Sequence, residues 1–137
     1  MSGRTSSRRT EQRRAAVFAL YQAEVADRTL DDAFETDAAG FTRALAHATA
    51  DYQAELDEVI GRHAKGWALS RIAPLERAIL RTALFEMLYR PDVPDEVAID
   101  EAIETAKRYC GSEAPGFING ILGGVMSRVP RDEKRPA

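Results

Sequence analysis

The sequence predicts an all-α fold of six to seven helices, divided loosely into an N-terminal and a C-terminal bundle. Three observations carry this. Alanine is abundant while valine, isoleucine, threonine and aromatic residues are sparse, which favours helix over sheet. Apolar residues recur at three- and four-residue spacing, with no alternation long enough for a strand. Two breaks, near Gly66 and from Pro91 to Pro94, interrupt that pattern.

The elements follow in order. Residues 1–7 are polar and expected to be a disordered basic arm, ahead of a single helical domain over 8–129. The first helix runs from Arg8 to about Ala26, with Val17, Leu20, Tyr21 and Glu24 at helical spacing and Phe18 and Val25 widening the stripe. Thr29 caps a short helix, with Asp32 three residues on. A break at Thr36–Gly40 precedes a helical stretch from Phe41 to Ala64, which divides near Asp51. Tyr52, Leu56, Val59, Ile60 and His63 mark its inner face. Gly66 to Ser70 connects the subdomains, about 8–66 and 67–129. Pro74 suits the first position of the next helix, Pro74–Tyr89, which is apolar on most faces and therefore central. Two prolines in four residues end it. Val97 to Tyr109 is the next helix, stopped by Gly111, and the last begins between Ser112 and Pro115. Gly120, Gly123 and Gly124 lie inside that last helix, and close packing is the expected reason for Gly120. The segment 130–137 is charged and expected to be a flexible tail.

Several function classes fall away. With 137 residues the chain makes one domain with a real core. No apolar run approaches the roughly 20 residues of a membrane span, and no secretory signal is visible. A single cysteine, Cys110, fits a reducing cytoplasm and reads as a packed small hydrophobe. His47, His63 and Cys110 stand far apart, outside any nucleophile motif, so no catalysis is expected. His47 and Asp51 stand at i,i+4, a spacing more often of surface neighbours than of metal ligands. No glycine-rich loop joins a strand to a helix, and no cofactor is expected.

Charge supplies the positive signal. Arg4, Arg8, Arg9, Arg13 and Arg14 stand against Glu11, giving about +4 over fourteen residues; the chain total of -3 leaves about -7 for the rest. A basic segment on an acidic body concentrates positive potential where a phosphate backbone can meet it.

Three segments then carry a resemblance. They are Arg13-Arg14-Ala15-Ala16-Val17-Phe18-Ala19-Leu20-Tyr21-Gln22; Glu76 to Glu86; and Val93-Pro94 with Val97 to Tyr109 and Phe117-Ile118-Asn119-Gly120-Ile121-Leu122. In this order, from about Arg8 to Val125, the chain resembles the NusB family of transcription antitermination factors. The resemblance implies two packed three-helix bundles and no catalysis. It also implies pairing with the ribosomal protein NusE on the boxA element of single-stranded RNA, within an RNA polymerase antitermination complex on ribosomal RNA operons. Some members form homodimers that cover the RNA face. Under this resemblance Arg8, Arg9, Arg13, Arg14, Tyr21 and Asn119 are the RNA-binding candidates, and Glu76 is the candidate for the NusE contact. Arginine suits the first role because its planar fork binds phosphate bidentately and stacks on bases. Gly123 departs from the family, where many members carry an aspartate.

Two other classes compete. Ribosomal RNA cytosine methyltransferases carry a similar domain before a catalytic one; the eight residues after 129 are too short for that, so an adaptor is expected. The other class is a purely protein-binding helical domain, in which the arginines only solvate a terminus.

Overall fold

A helix apolar on nearly every face must be surrounded, and Pro74–Tyr89 is. The computed structural model describes residues 2–127. Among them run α1 (Ser2–Val25), α2 (Leu30–Ala33), α3 (Gly40–Asp51), α4 (Gln53–His63), a 3₁₀ turn at Leu69–Arg71, α5 (Pro74–Tyr89), α6 (Asp95–Tyr109) and α7 (Ala114–Met126). No strand occurs among these residues. Helix α5 packs against α1, α3, α4, α6 and α7. Every residue from Ala78 to Tyr89 is buried, including Arg81 and Glu86. The tail expected over 130–137 lies outside the described residues.

Local signals place most boundaries. The Thr29 hydroxyl accepts from the Asp32 amide at 3.2 Å and starts α2. Tyr52 separates α3 from α4 with φ -100° and ψ 13°. Pro74 opens α5 at its first turn, and Pro94 precedes α6. Helix α1 begins at Ser2, ahead of Arg8, so Arg8 and Arg9 stand beyond its first turn, where the dipole penalty on cations is smaller.

The core unites both halves. Leu45, Leu56, Ile60, Ile79, Leu80, Leu84, Phe85, Ile118 and Leu122 are all at most 2% exposed. Phe85, Tyr89 and Tyr52 stack with centroids 4.5–5.7 Å apart, fixing α4 to α5. Arg81 donates to both Asp57 oxygens at 2.7 and 3.1 Å, and Glu24 pairs with Arg77 and Arg81, tying the end of α1 to α5. Helix α1 buries Ala16, Val17 and Ala19, whereas Val25, expected in the stripe, is 48% exposed. Small side chains let α1 lie close to its neighbours, so alanines rather than the outermost valine form the contact.

The glycines of α7 correct one expectation. A Cβ on Gly120 or Gly123 would meet nothing within 4 Å, so packing does not explain Gly120. Gly124 is the tight position: a Cβ there would lie 3.0 Å from His63 Cδ2. The His63 ring is held by a hydrogen bond between Nδ1 and the Val59 carbonyl at 3.0 Å. Gly120→Ala should therefore raise stability by up to about 1 kcal/mol through helix propensity. Gly124→Ala should gain less or lose. Thermal unfolding of the two single variants decides this, and equal gains would show that the His63 ring yields freely.

Candidate nucleic-acid interface

Helices α1 and α6 lie side by side and run in the same direction. Three contacts share one register. Thr10 Oγ1 donates to Glu101 Oε2 at 2.7 Å, Arg14 Nε donates to Thr105 Oγ1 at 3.3 Å, and Phe18 meets Tyr109 edge-to-face at 4.9 Å. Each step is four residues on both helices, one turn of about 6 Å. Tyr21, three residues past Phe18, continues this stripe of α1 and is half-buried against the core.

The candidate arginines divide into groups. Arg8 and Arg9 are exposed. Arg9 donates to Gln12 at 2.9 Å and stands 3.9 Å over the Phe41 ring. Arg14 is half-buried beside α6. Arg13 is engaged inside the fold. Its Nε donates to both Glu86 oxygens at 2.9 and 3.0 Å, its Nη1 donates to Glu101 at 3.2 Å, and its side chain is 12% exposed. Burial pushes the Glu86 carboxyl above its ordinary 4.5; Arg13 opposes this and Glu101 adds to it.

Asn119 is exposed on α7, which packs on α4, α5 and α6. No contact joins it to the arginines. Glu76 lies in the first turn of α5, where the helix dipole favours an acid. It borders an open groove of about 490 Å³ lined also by Trp67, Arg71, Glu113 and Phe117. Desolvation raises the Glu76 carboxyl, and burial, with a lesser push from Glu76, raises the Cys110 thiol, which fits a packed cysteine. Trp67 is 51% exposed and meets Phe117 at 5.9 Å.

Sequence reasoning missed Phe18, Arg108 and Tyr109 as site residues. Tyr109 is 44% exposed, with the Arg108 guanidinium 5.6 Å from its ring. The signal was present: Tyr109 and Arg108 end a helix, next to a basic segment in space but distant in sequence. The histidines serve other contacts. His47 Nε2 pairs with Asp31 at 2.8 Å, and its ring lies against Phe34. No cluster of three metal-ligating side chains occurs among the described residues, and no helix there is long and apolar enough to cross a membrane.

The NusB family model matches residues 10–127. This chain belongs to the NusB family. A transcription antitermination protein NusB from Halalkalibacterium halodurans is 41% identical over 125 residues, covering 86% of this chain and 93% of the relative. A solved Thermotoga maritima NusB structure superposes with TM-score 0.82 at 32% identity, covering 91% of this chain and 95% of that one. A structure of antitermination factors NusB and NusE in complex with double-stranded RNA superposes at TM-score 0.78 and 20% identity, covering 88% and 97%, and supports the fold. Membership makes the chain a non-enzymatic transcription antitermination factor.

The Arg13 pair gives a stability test. Arg13→Ala leaves Glu86 buried without its nearest cation and should cost about 3–5 kcal/mol in urea unfolding. The raised Glu86 carboxyl holds its proton more readily folded than unfolded. Its contribution is complete below about pH 4.5 and is lost as pH rises through the folded value. The stability of wild type relative to Glu86→Gln should therefore be greatest at acid pH and shrink upward. A gap that widens upward would refute this assignment.

Proposed function

We propose that this NusB protein is an RNA-binding adaptor. It pairs with the small-subunit ribosomal protein NusE on boxA-type single-stranded RNA, joins the RNA polymerase antitermination complex and suppresses premature termination, mainly in ribosomal RNA operons. The observation that carries this reading is the α1–α6 edge. Arg14 and Arg108 supply cations there, exposed Arg8 and Arg9 add two more on the preceding turns of α1, and Tyr109, steadied by Phe18, supplies an aromatic face. Guanidinium groups for phosphates beside a stacking ring suit unpaired RNA. Tyr21 continues the edge from below. Asn119 is a separate contact on α7. The NusB–NusE complex with double-stranded RNA, a fold relative, supports RNA as the class of ligand and NusE as the partner.

The groove at Glu76 is the proposed NusE surface. It starts at Gly111, two residues beyond Tyr109, so the RNA edge and the partner groove adjoin. A partly desolvated carboxylate in such a groove favours a basic partner. The acidic body beyond the arginines repels RNA, and a basic partner offsets that field. The single cysteine fits cytoplasmic residence. A homodimer through the arginine face is the competing state.

Salt titration by fluorescence anisotropy tests the RNA face. Four phosphate contacts on a single strand give a log–log slope near -3, at about -0.7 each. Changing Arg8 and Arg9 to alanine should halve it. Tyr109→Ala should weaken binding by about 1–3 kcal/mol with the slope unchanged. An unchanged slope in the double arginine variant would remove α1 from the interface. Binding that weakens as protein concentration rises would identify the homodimer.

Glu76→Lys tests the groove separately. It should weaken NusE binding by at least about tenfold, a coupling of ~1.4 kcal/mol, and leave direct RNA binding no weaker. Loss of RNA binding with NusE binding retained would reverse the two assignments. Calorimetric titration with purified NusE reads the first quantity.

A further inference from the structure

We propose that Glu86 and Glu101 hold Arg13 away from nucleic acid and use it to position the arginine-bearing face of α1, making both acids positioning residues for RNA binding. The inference rests on the RNA reading above and deepens it.

Arg13 belongs to the run that sequence assigns to RNA, yet its Nε and Nη1 are engaged within the fold and its side chain is 12% exposed. Nε is shared between the two Glu86 oxygens and Nη1 reaches Glu101, while Thr10 donates to the same Glu101 oxygen. Glu86 and Glu101 face the Arg13 guanidinium from two helices and direct it inward, away from a phosphate. Glu86 is 3% exposed, so its oxygens are reachable only from within. The cluster joins three helices, α1, α5 and α6, at one point. A buried charge pair of this kind selects one arrangement, because any slip strands a charge.

That arrangement sets where the neighbouring arginines point. A helix turns 100° per residue, so fixing Arg13 fixes Arg9, one turn earlier, over Phe41, and Arg14 beside Thr105. The Phe18–Tyr109 contact lies on the same register, one turn further. Without the clamp, α1 can rotate or slide, and the exposed cations lose their common spacing.

The test uses the full chain and a short single-stranded boxA-type RNA, titrated by anisotropy at four salt concentrations. Arg13→Lys keeps the charge but cannot span both acids. A positioning role predicts that it weakens RNA binding at least about fivefold, with the salt slope unchanged. A phosphate contact held by charge alone would tolerate lysine, which binds phosphate as a point charge. In R13M/E86M an apolar pair of similar bulk replaces the buried ions, which buried sites often accept. Positioning predicts affinity weakened at least about threefold with the wild-type slope, because the clamp is lost while no phosphate contact is. Near-wild-type binding by Arg13→Lys, or a slope shallower by about 0.7 in a folded R13M/E86M, would overturn the proposal. Circular dichroism establishes folding, and if the double variant fails to fold, Arg13→Lys decides. Failure of the wild-type chain to bind RNA at the lowest salt overturns the RNA reading itself, before any variant is compared.

Discussion

The ion cluster of Arg13, Glu86 and Glu101 is the constraint on which the rest of this structure depends. It joins α1, α5 and α6, three helices whose sequence positions span most of the domain. Hydrophobic burial alone would bring these helices together but would not choose their register, because alanine-rich faces slide past one another at little cost. Ala16, Ala19, Ala98, Ala102 and Ala106 are all buried, and Ala16 and Ala106 have no exposed surface. Such small side chains offer close approach but few interlocking knobs. A charged group that must meet its partners supplies the missing specificity. The hydrogen bond from Thr10 to Glu101 and the ring contact of Phe18 with Tyr109 then repeat that register along the pair.

A second ionic anchor sits at the C-terminal end of α1, while the Arg13 cluster holds its middle. Glu24 pairs with Arg77 and Arg81, and Arg81 holds Asp57 of α4. Helix α1 is thus tied to α5 at two points eleven residues apart, about 16 Å along its axis. Between them lie Ala16, Val17, Ala19 and Leu20. This gives the arginine-bearing segment a rigid base. The proposed binding face starts one turn before the Arg13 anchor, at the middle of α1, and would present its cations with little ordering cost on association.

Much of the fold was legible because its signals are local. Thr29 and Asp32, Pro74, the Pro91–Pro94 pair and the alternation of helical stripes each act within a few residues, and each placed an element. The division near Asp51 was also readable, although its cause is a single non-helical residue, Tyr52. The candidate site was less legible. Arg13 looked like its neighbours in the basic run, and its partners lie 73 and 88 residues away. Tyr109 looked like a helix end, and its relation to Phe18 appears only when α1 and α6 are laid together. The glycines of α7 misled for a related reason. Composition shows that a Cβ is missing, while only the neighbouring helix shows which one would collide, and that is Gly124 against His63.

The adjacency of Tyr109 and the Glu76 groove has a mechanistic consequence. The chain between them is Cys110 and Gly111, one end of α6 and the approach to α7. Glu76 acts electrostatically on Cys110, so the two surfaces already share a local field. Under the proposed assignments, a basic partner seated in the groove would neutralise Glu76 and lower the acidic potential beside Tyr109. RNA at the α1–α6 edge would then meet less repulsion without any movement of the backbone. Coupling of this kind is reciprocal: RNA phosphates at the edge raise the local negative potential and strengthen the hold on a basic partner. On that proposal the two ligands would reinforce each other through charge alone, and salt would weaken that reinforcement along with each separate contact.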